Sequence, residues 1–195
     1  PDDAVVPYQS SEIGALWLEA DPVQPHWNSN SGYNAFNTLP STEGINVDCR
    51  LLGSGTVAYD QDPYTTSVDM AYEHEPADPM GTTENQNAAL VNAFVWMNYL
   101  HDLLYTYGFN EVSGNFQEWN GPHGGIEGDR ILVELGADEQ DCGGAGSMFA
   151  VDGVPGSIVL PVYCTSIGQQ TEYRHSAYDH TIITHEYAHG LLVRM

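Results

Sequence analysis

The sequence predicts an α+β chain in which strands and long loops come first and helices later. Three observations lead there. Residues 1–80 are rich in Gly, Pro, Asn and Ser, with short apolar runs at Ala15–Leu18 and Thr56–Tyr59, the pattern of short strands between turns. Residues 83–107 contain no Gly or Pro and are apolar on most faces. Residues 109–178 return to Gly-rich segments with β-like runs, and 179–193 have no Gly except Gly190. Two regions are therefore expected: a β-rich N-terminal region over 1–80, and a region over 81–195 that holds both helices.

Each element has a local reason. Thr83-Glu84-Asn85-Gln86 fits a capping box, with the Thr hydroxyl accepting a first-turn N–H and Gln86 reaching back. The run AALVNAFVWMNYLHDLLYTY continues as a helix to about 107, and Gly108 is placed to end it. A helix this apolar has to be buried. The β-like runs are Arg130–Leu135, Ser147–Val151 and Ser157–Tyr163. Pro161 lies inside the last of these, which favours a sheet edge. The second helix is expected over about 179–193.

Composition bounds the partners. The 195 residues suit one large domain, or a domain plus a fragment, at roughly 150 residues per domain. Asp and Glu total 27 against 4 Lys plus Arg, a formal charge of −23. There is no lysine, and the four bases are Arg50, Arg130, Arg174 and Arg194. Nucleic acid is excluded as a partner, because counterion displacement needs clustered Lys/Arg. An anionic membrane surface would repel the chain, and no stretch reaches the ~18 apolar residues of a membrane span. Apolar residues at 42% argue against an acidic disordered tail. Of the cysteines, Cys142 and Cys164 flank a Gly-rich segment and can pair in an oxidising compartment, which leaves Cys49 over.

The chemistry is concentrated in His185-Glu186-Tyr187-Ala188-His189, an H-E-x-x-H motif on the second helix. His185 and His189 are four residues apart, hence one turn along and only about 40° round the axis. Their imidazoles project from one face and can hold one zinc ion. Glu186 lies on the flank of that face, where it can act as general base and acid towards a zinc-activated water. This chain's own His and Glu frequencies give about a 2% probability of such a motif by chance. The competing reading is a surface histidine pair beside a solvated carboxylate.

Two histidines do not complete a catalytic zinc site. In the extended metzincin pattern a Gly would fall at 192 and a His at 195, but here these are Leu192 and Met195. The remaining common arrangement is His₂Glu, with the Glu on a later helix. The expectation is that a second chain or C-terminal fragment supplies it, with Glu172 or Asp179 as lesser alternatives.

Three segments resemble the fungalysin family of secreted fungal zinc metalloendopeptidases, distant relatives of thermolysin. They are Asn92–Gln117 with its HDLLYTYGFNEVSGNFQ core, Ser147–Gly156, and Tyr173–Asp179 leading into His185–Gly190. The resemblance runs from about residue 85 to the end. It implies a zincin-like N-terminal catalytic subdomain, secretion, a zymogen, and cleavage before bulky apolar residues. It implies His185 and His189 as zinc ligands and Glu186 as general base. It also places Phe149 and Ala150 near an edge strand that pairs with substrate backbone, and Asp179 as a carboxylate orienting a ligand histidine. His180 departs from the family, where a small polar residue is expected. The alternative function is a non-catalytic secreted binding or regulatory protein of the same fold with an incomplete metal site.

Other residues stand apart from the motif. His101-Asp102 reads as a buried, hydrogen-bonded pair in preference to a catalytic dyad. His74 between Glu73 and Glu75 reads as a solvated loop in preference to a second metal site. Asp138-Glu139-Gln140-Asp141 beside Gly143-Gly144 makes Ca²⁺ a second candidate ion, though the EF-hand pattern is absent. Tyr105 and Tyr107 read as core or cleft wall.

Overall fold

A computed structural model describes residues 42, 44–52, 80–121, 123–167 and 170–195. The runs at Ala15–Leu18 and Thr56–Tyr59, and His74 with its flanking glutamates, lie outside the described residues. The described elements are β1 (Val47–Leu51), α1 (Thr83–Thr106), β2 (Ile131–Leu135), β3 (Gly146–Met148), β4 (Ser157–Leu160), β5 (Val162–Ile167), β6 (Gln170–His175) and α2 (His180–Arg194). This is the mixed α+β architecture expected, with α1 interposed between the first two strands.

Four strands form one sheet in the order β1-β2-β4-β3. β1, β2 and β4 run parallel, and β3 is antiparallel to β4 at one edge. β5 and β6 make a separate antiparallel pair. Alternation decides what the sheet buries. Val47, Cys49 and Leu51 of β1, Ile131, Val133 and Leu135 of β2, and Ile158 and Leu160 of β4 join one core. α1 lies against that core through Ala89, Leu90, Ala93, Phe94 and Met97, the i, i+4, i+8 face of a helix. Between the apolar residues of β1, Asp48 is fully buried and takes Arg50 at 3.0 Å and Arg130 at 3.4 Å.

The ends of α1 differ in detail from the capping box read at Thr83. The cap is Thr82, whose hydroxyl accepts from the Asn85 N–H at 3.4 Å. Gln86 is engaged elsewhere, donating from Nε2 to the Ala137 carbonyl at 2.7 Å. At the other end Gly108 adopts φ 98°, and the N–H groups of Gly108 and Phe109 return to the carbonyls of Tyr105 and Leu104. That left-handed turn is why glycine stands there. Tyr107, just before it, is 82% exposed and forms no part of the core.

Pro161 does not mark an edge strand. It falls between β4, which is flanked by β2 and β3, and β5, which pairs with β6. A residue with no N–H suits the point where the chain leaves one sheet for another. A disulfide joins Cys142 to Cys164 on β5.

Cys49 is free and buried at the centre of β1. Burial pushes its thiol well above the ordinary range, and the neighbouring Asp48 carboxylate adds to the effect. Iodoacetamide is therefore expected to leave Cys49 unlabelled in the native chain and to modify it once denaturant is added. Peptide mapping checks this, and rapid native-state labelling would contradict it.

Candidate metal centre

α2 carries the motif and starts cleanly. Asp179 is its N-cap, accepting the Thr181 N–H at 2.9 Å. That bond satisfies one of the first-turn N–H groups of the helix. Ile183, Tyr187 and Gly190, at i, i+4 and i+7, form the buried face. His185 and His189 lie on the exposed side.

The two imidazoles converge. Their Nε2 atoms are 3.1 Å apart, and the rings meet edge to face with centroids 4.7 Å apart. Two zinc-bound nitrogens at tetrahedral angles would be separated by about 3.3 Å, given Zn–N distances near 2.0–2.1 Å. The pair therefore fits a shared zinc to within a few tenths of an ångström. Without a cation or proton between them, two nitrogen lone pairs at this distance would repel. Glu186, only 6% exposed, lies beside them.

These three side chains line a cleft of about 450 Å³ with Phe149, the β3 residues Gly146 and Ser147, and a few apolar neighbours. The structure thus brings Phe149 together with His185, Glu186 and His189. Ala150 does not line the cleft; its carbonyl accepts from Arg194 Nε at 2.8 Å. Among the described residues, the edge of the sheet at this cleft is β3, whose last residue, Met148, directly precedes Phe149. A larger groove of about 750 Å³ runs by the last turn of α2, lined by residues including Leu104, Phe109, Val112 and Leu191, but it contains no imidazole.

Among the described residues, no group of three or more His, Cys, Asp or Glu side chains is placed to hold a metal ion. Glu172 is exposed on β6, opposite Thr165. In the acidic run, Asp138 caps a short turn by accepting from Gln140, and Asp141 accepts from the Ala137 N–H at 2.7 Å. Those aspartates have a structural use without calcium. His101 is a buried core residue, with Nδ1 3.1 Å from Asp102 and Nε2 3.2 Å from Asn115. His180 stacks on Trp96 at 3.8 Å and contacts Asn92. Burial lowers its imidazole from the ordinary histidine range, against the opposing pull of Asp179. Beneath the motif, Tyr187 is buried and its phenol is pushed up by desolvation, then by Asp102 and Asp129.

Gly190, the one glycine of the second helix, has a packing reason that the motif alone does not show. A Cβ there would lie 2.6 Å from Phe149 and 2.7 Å from Phe116. The visible signal was an isolated glycine in a helix, which costs roughly 1 kcal/mol relative to Ala and so needs a packing reason.

Residues 4–195 match the family described as Fungalysin metallopeptidase (M36). Similar curated proteins include an extracellular metalloproteinase of Aspergillus niger, 32% identical over 92% of this chain and 30% of the relative. Another, from Neosartorya fischeri, is 30% identical over 85% of this chain and 25% of its own length. Extracellular metalloproteinase 3 of Trichophyton soudanense is 29% identical over 92% of this chain and 43% of its own. The chain thus spans less than half the length of these relatives. They are longer single chains, so the expected separate second chain with the third ligand finds no support in them. No helix among the described residues is long and apolar enough to cross a membrane.

Gly190→Ala is expected to destabilise the fold by about 1–3 kcal/mol, the usual range for overpacking. Phe116 is fully buried and has little room to yield. Thermal or urea denaturation measures this, and an unchanged midpoint would show that the helix does not need the close approach.

Proposed function

The chain belongs to the fungalysin metallopeptidase family, and from this we propose that it carries two metal ligands and the general base of a secreted zinc endopeptidase. The observation that carries the reading is the 3.1 Å approach of the His185 and His189 Nε2 atoms on the wall of an open cleft. In this reading residues 81–195 form the zincin-like half-domain that bears the motif. The third ligand is a glutamate outside the described residues. The disulfide and the relatives' extracellular names support secretion.

When bound, zinc supplies a Lewis acid that polarises the scissile carbonyl and activates water near neutral pH. The rest of the chemistry belongs to the protein. His185 and His189 present their Nε2 lone pairs to the metal. Glu186 takes the attacking water's proton on a carboxylate oxygen and delivers it to the leaving amine. Among the described residues β3 pairs with β4 on one side only, and its other edge can accept an extended peptide as an added strand. Phe149, seated on Gly190, forms an apolar wall for a bulky residue after the cleaved bond.

A second reading, a non-catalytic secreted binding protein of the same fold, draws on the two-imidazole set found among the described residues. Metal analysis separates the two. Glu186→Gln should retain one zinc per chain and lower turnover by ~10²–10⁴-fold. His189→Ala should lose the metal. Full activity in the Glu186 variant would remove its role as base, and a native protein without zinc would favour the second reading.

A further inference from the structure

Arg194 ends the helix that begins with Asp179 and carries His185, Glu186 and His189. Its side chain is 2% exposed although the residue lies on the last turn. Nε donates to the Ala150 carbonyl at 2.8 Å, and Nη2 to the Val154 carbonyl at 3.1 Å. Nη1 faces Asp129 at 2.8 Å, Asp152 at 3.1 Å and the Gly114 carbonyl at 3.1 Å. The guanidinium also lies 4.7 Å from the centroid of the Phe116 ring.

Three of these five acceptors belong to Ala150, Asp152 and Val154, in the turn that follows β3 and Phe149. Asp129 ties the same turn from behind. It is fully buried and accepts from the Gly153 N–H at 3.0 Å and from the Gln117 N–H at 3.0 Å. Burial pushes its carboxyl up and the Arg194 hydrogen bond opposes that, so loss of Arg194 leaves a buried carboxylate without its cation.

We propose that Arg194 is a positioning residue for the substrate cleft, fixing the Phe149–Val154 turn, and with it the β3 edge, to the helix that bears the metal ligands. The physical point is common reference. An α-helix is stiff over two turns, so the imidazoles and the peptide-binding edge keep one geometry when both are anchored to it. Only a planar fork can serve acceptors on three sides at once. A lysine ammonium replaces it as a point charge and cannot reach them together. The ligand class is an extended peptide long enough to pair with β3.

The inference rests on the proposed endopeptidase function, and its test uses the whole secreted protease. Two peptides share the residues at the cleaved bond; one is long enough to run along β3 and the other is not. In Arg194→Lys, KM should rise about tenfold more for the long peptide than for the short, the factor that ~1.4 kcal/mol gives. Zinc content should hold, and amide exchange across residues 149–154 should quicken relative to β2 and α1. A merely structural role would lower the rates on both peptides in proportion, and that result, or unchanged exchange at 149–154, overturns the proposal. If the lysine variant does not fold, Asp152→Asn, which touches the fork through one partly exposed carboxylate, gives the same comparison with a smaller ratio. If the wild type cleaves neither peptide, the endopeptidase reading fails, and the exchange measurement still decides whether Arg194 fixes the turn.

Discussion

At Gly190 the helix that carries His185 and His189 comes so close to Phe116 and Phe149 that a methyl group would overlap both rings. The rest of the site follows from that approach. Phe116 is fully buried and packs edge to face on Tyr187, 5.7 Å between centroids. The helix is therefore pressed into the core on one face while His185 and His189 stay in solvent on the other. Phe149 is brought over the helix at the same point, and β3 comes with it. A cleft with the His185 and His189 imidazoles on one wall and, among the described residues, a sheet edge on the other is the consequence.

Polar burial complements this contact. In a chain of charge −23 with only four bases, three arginines are held in ion pairs within the described fold. Arg50 and Arg130 meet the buried Asp48, and Arg194 meets Asp129 and Asp152. Such pairs add little net stability once desolvation is counted, but breaking one is costly because it strands a buried charge. They act as geometric locks. One holds the far edge of the sheet, and the other holds the turn beside the cleft.

Much of the site was legible because its signals are local. The spacing of His185 and His189, the carboxylate between them, and the Gly108 stop involve residues within one or two turns of each other. The misreadings lay where a residue had two uses. Gln86 was read as part of a capping box, yet its amide reaches Ala137, fifty-one residues away. Pro161 was read as an edge marker, yet it divides two sheets. Ala150 is expected near the substrate edge, and its carbonyl is held by Arg194. For Gln86 and Ala150 the structure supplies a distant partner that no local pattern names.

The sequence by itself determined the two helices, the strand run at β2 and the one-turn separation of the imidazoles, whereas β1 at Val47–Leu51 emerged only from the structure. Helical periodicity and strand pleat are properties of the backbone and need only neighbouring residues. Only the tertiary structure decided which loop faces those imidazoles and how it is held. Arg194 bridges carbonyls and carboxylates forty to eighty positions away, and Gly190 accommodates rings from two separate segments. Contacts over such distances are set by how the sheet and helices pack, which no local pattern of residues encodes.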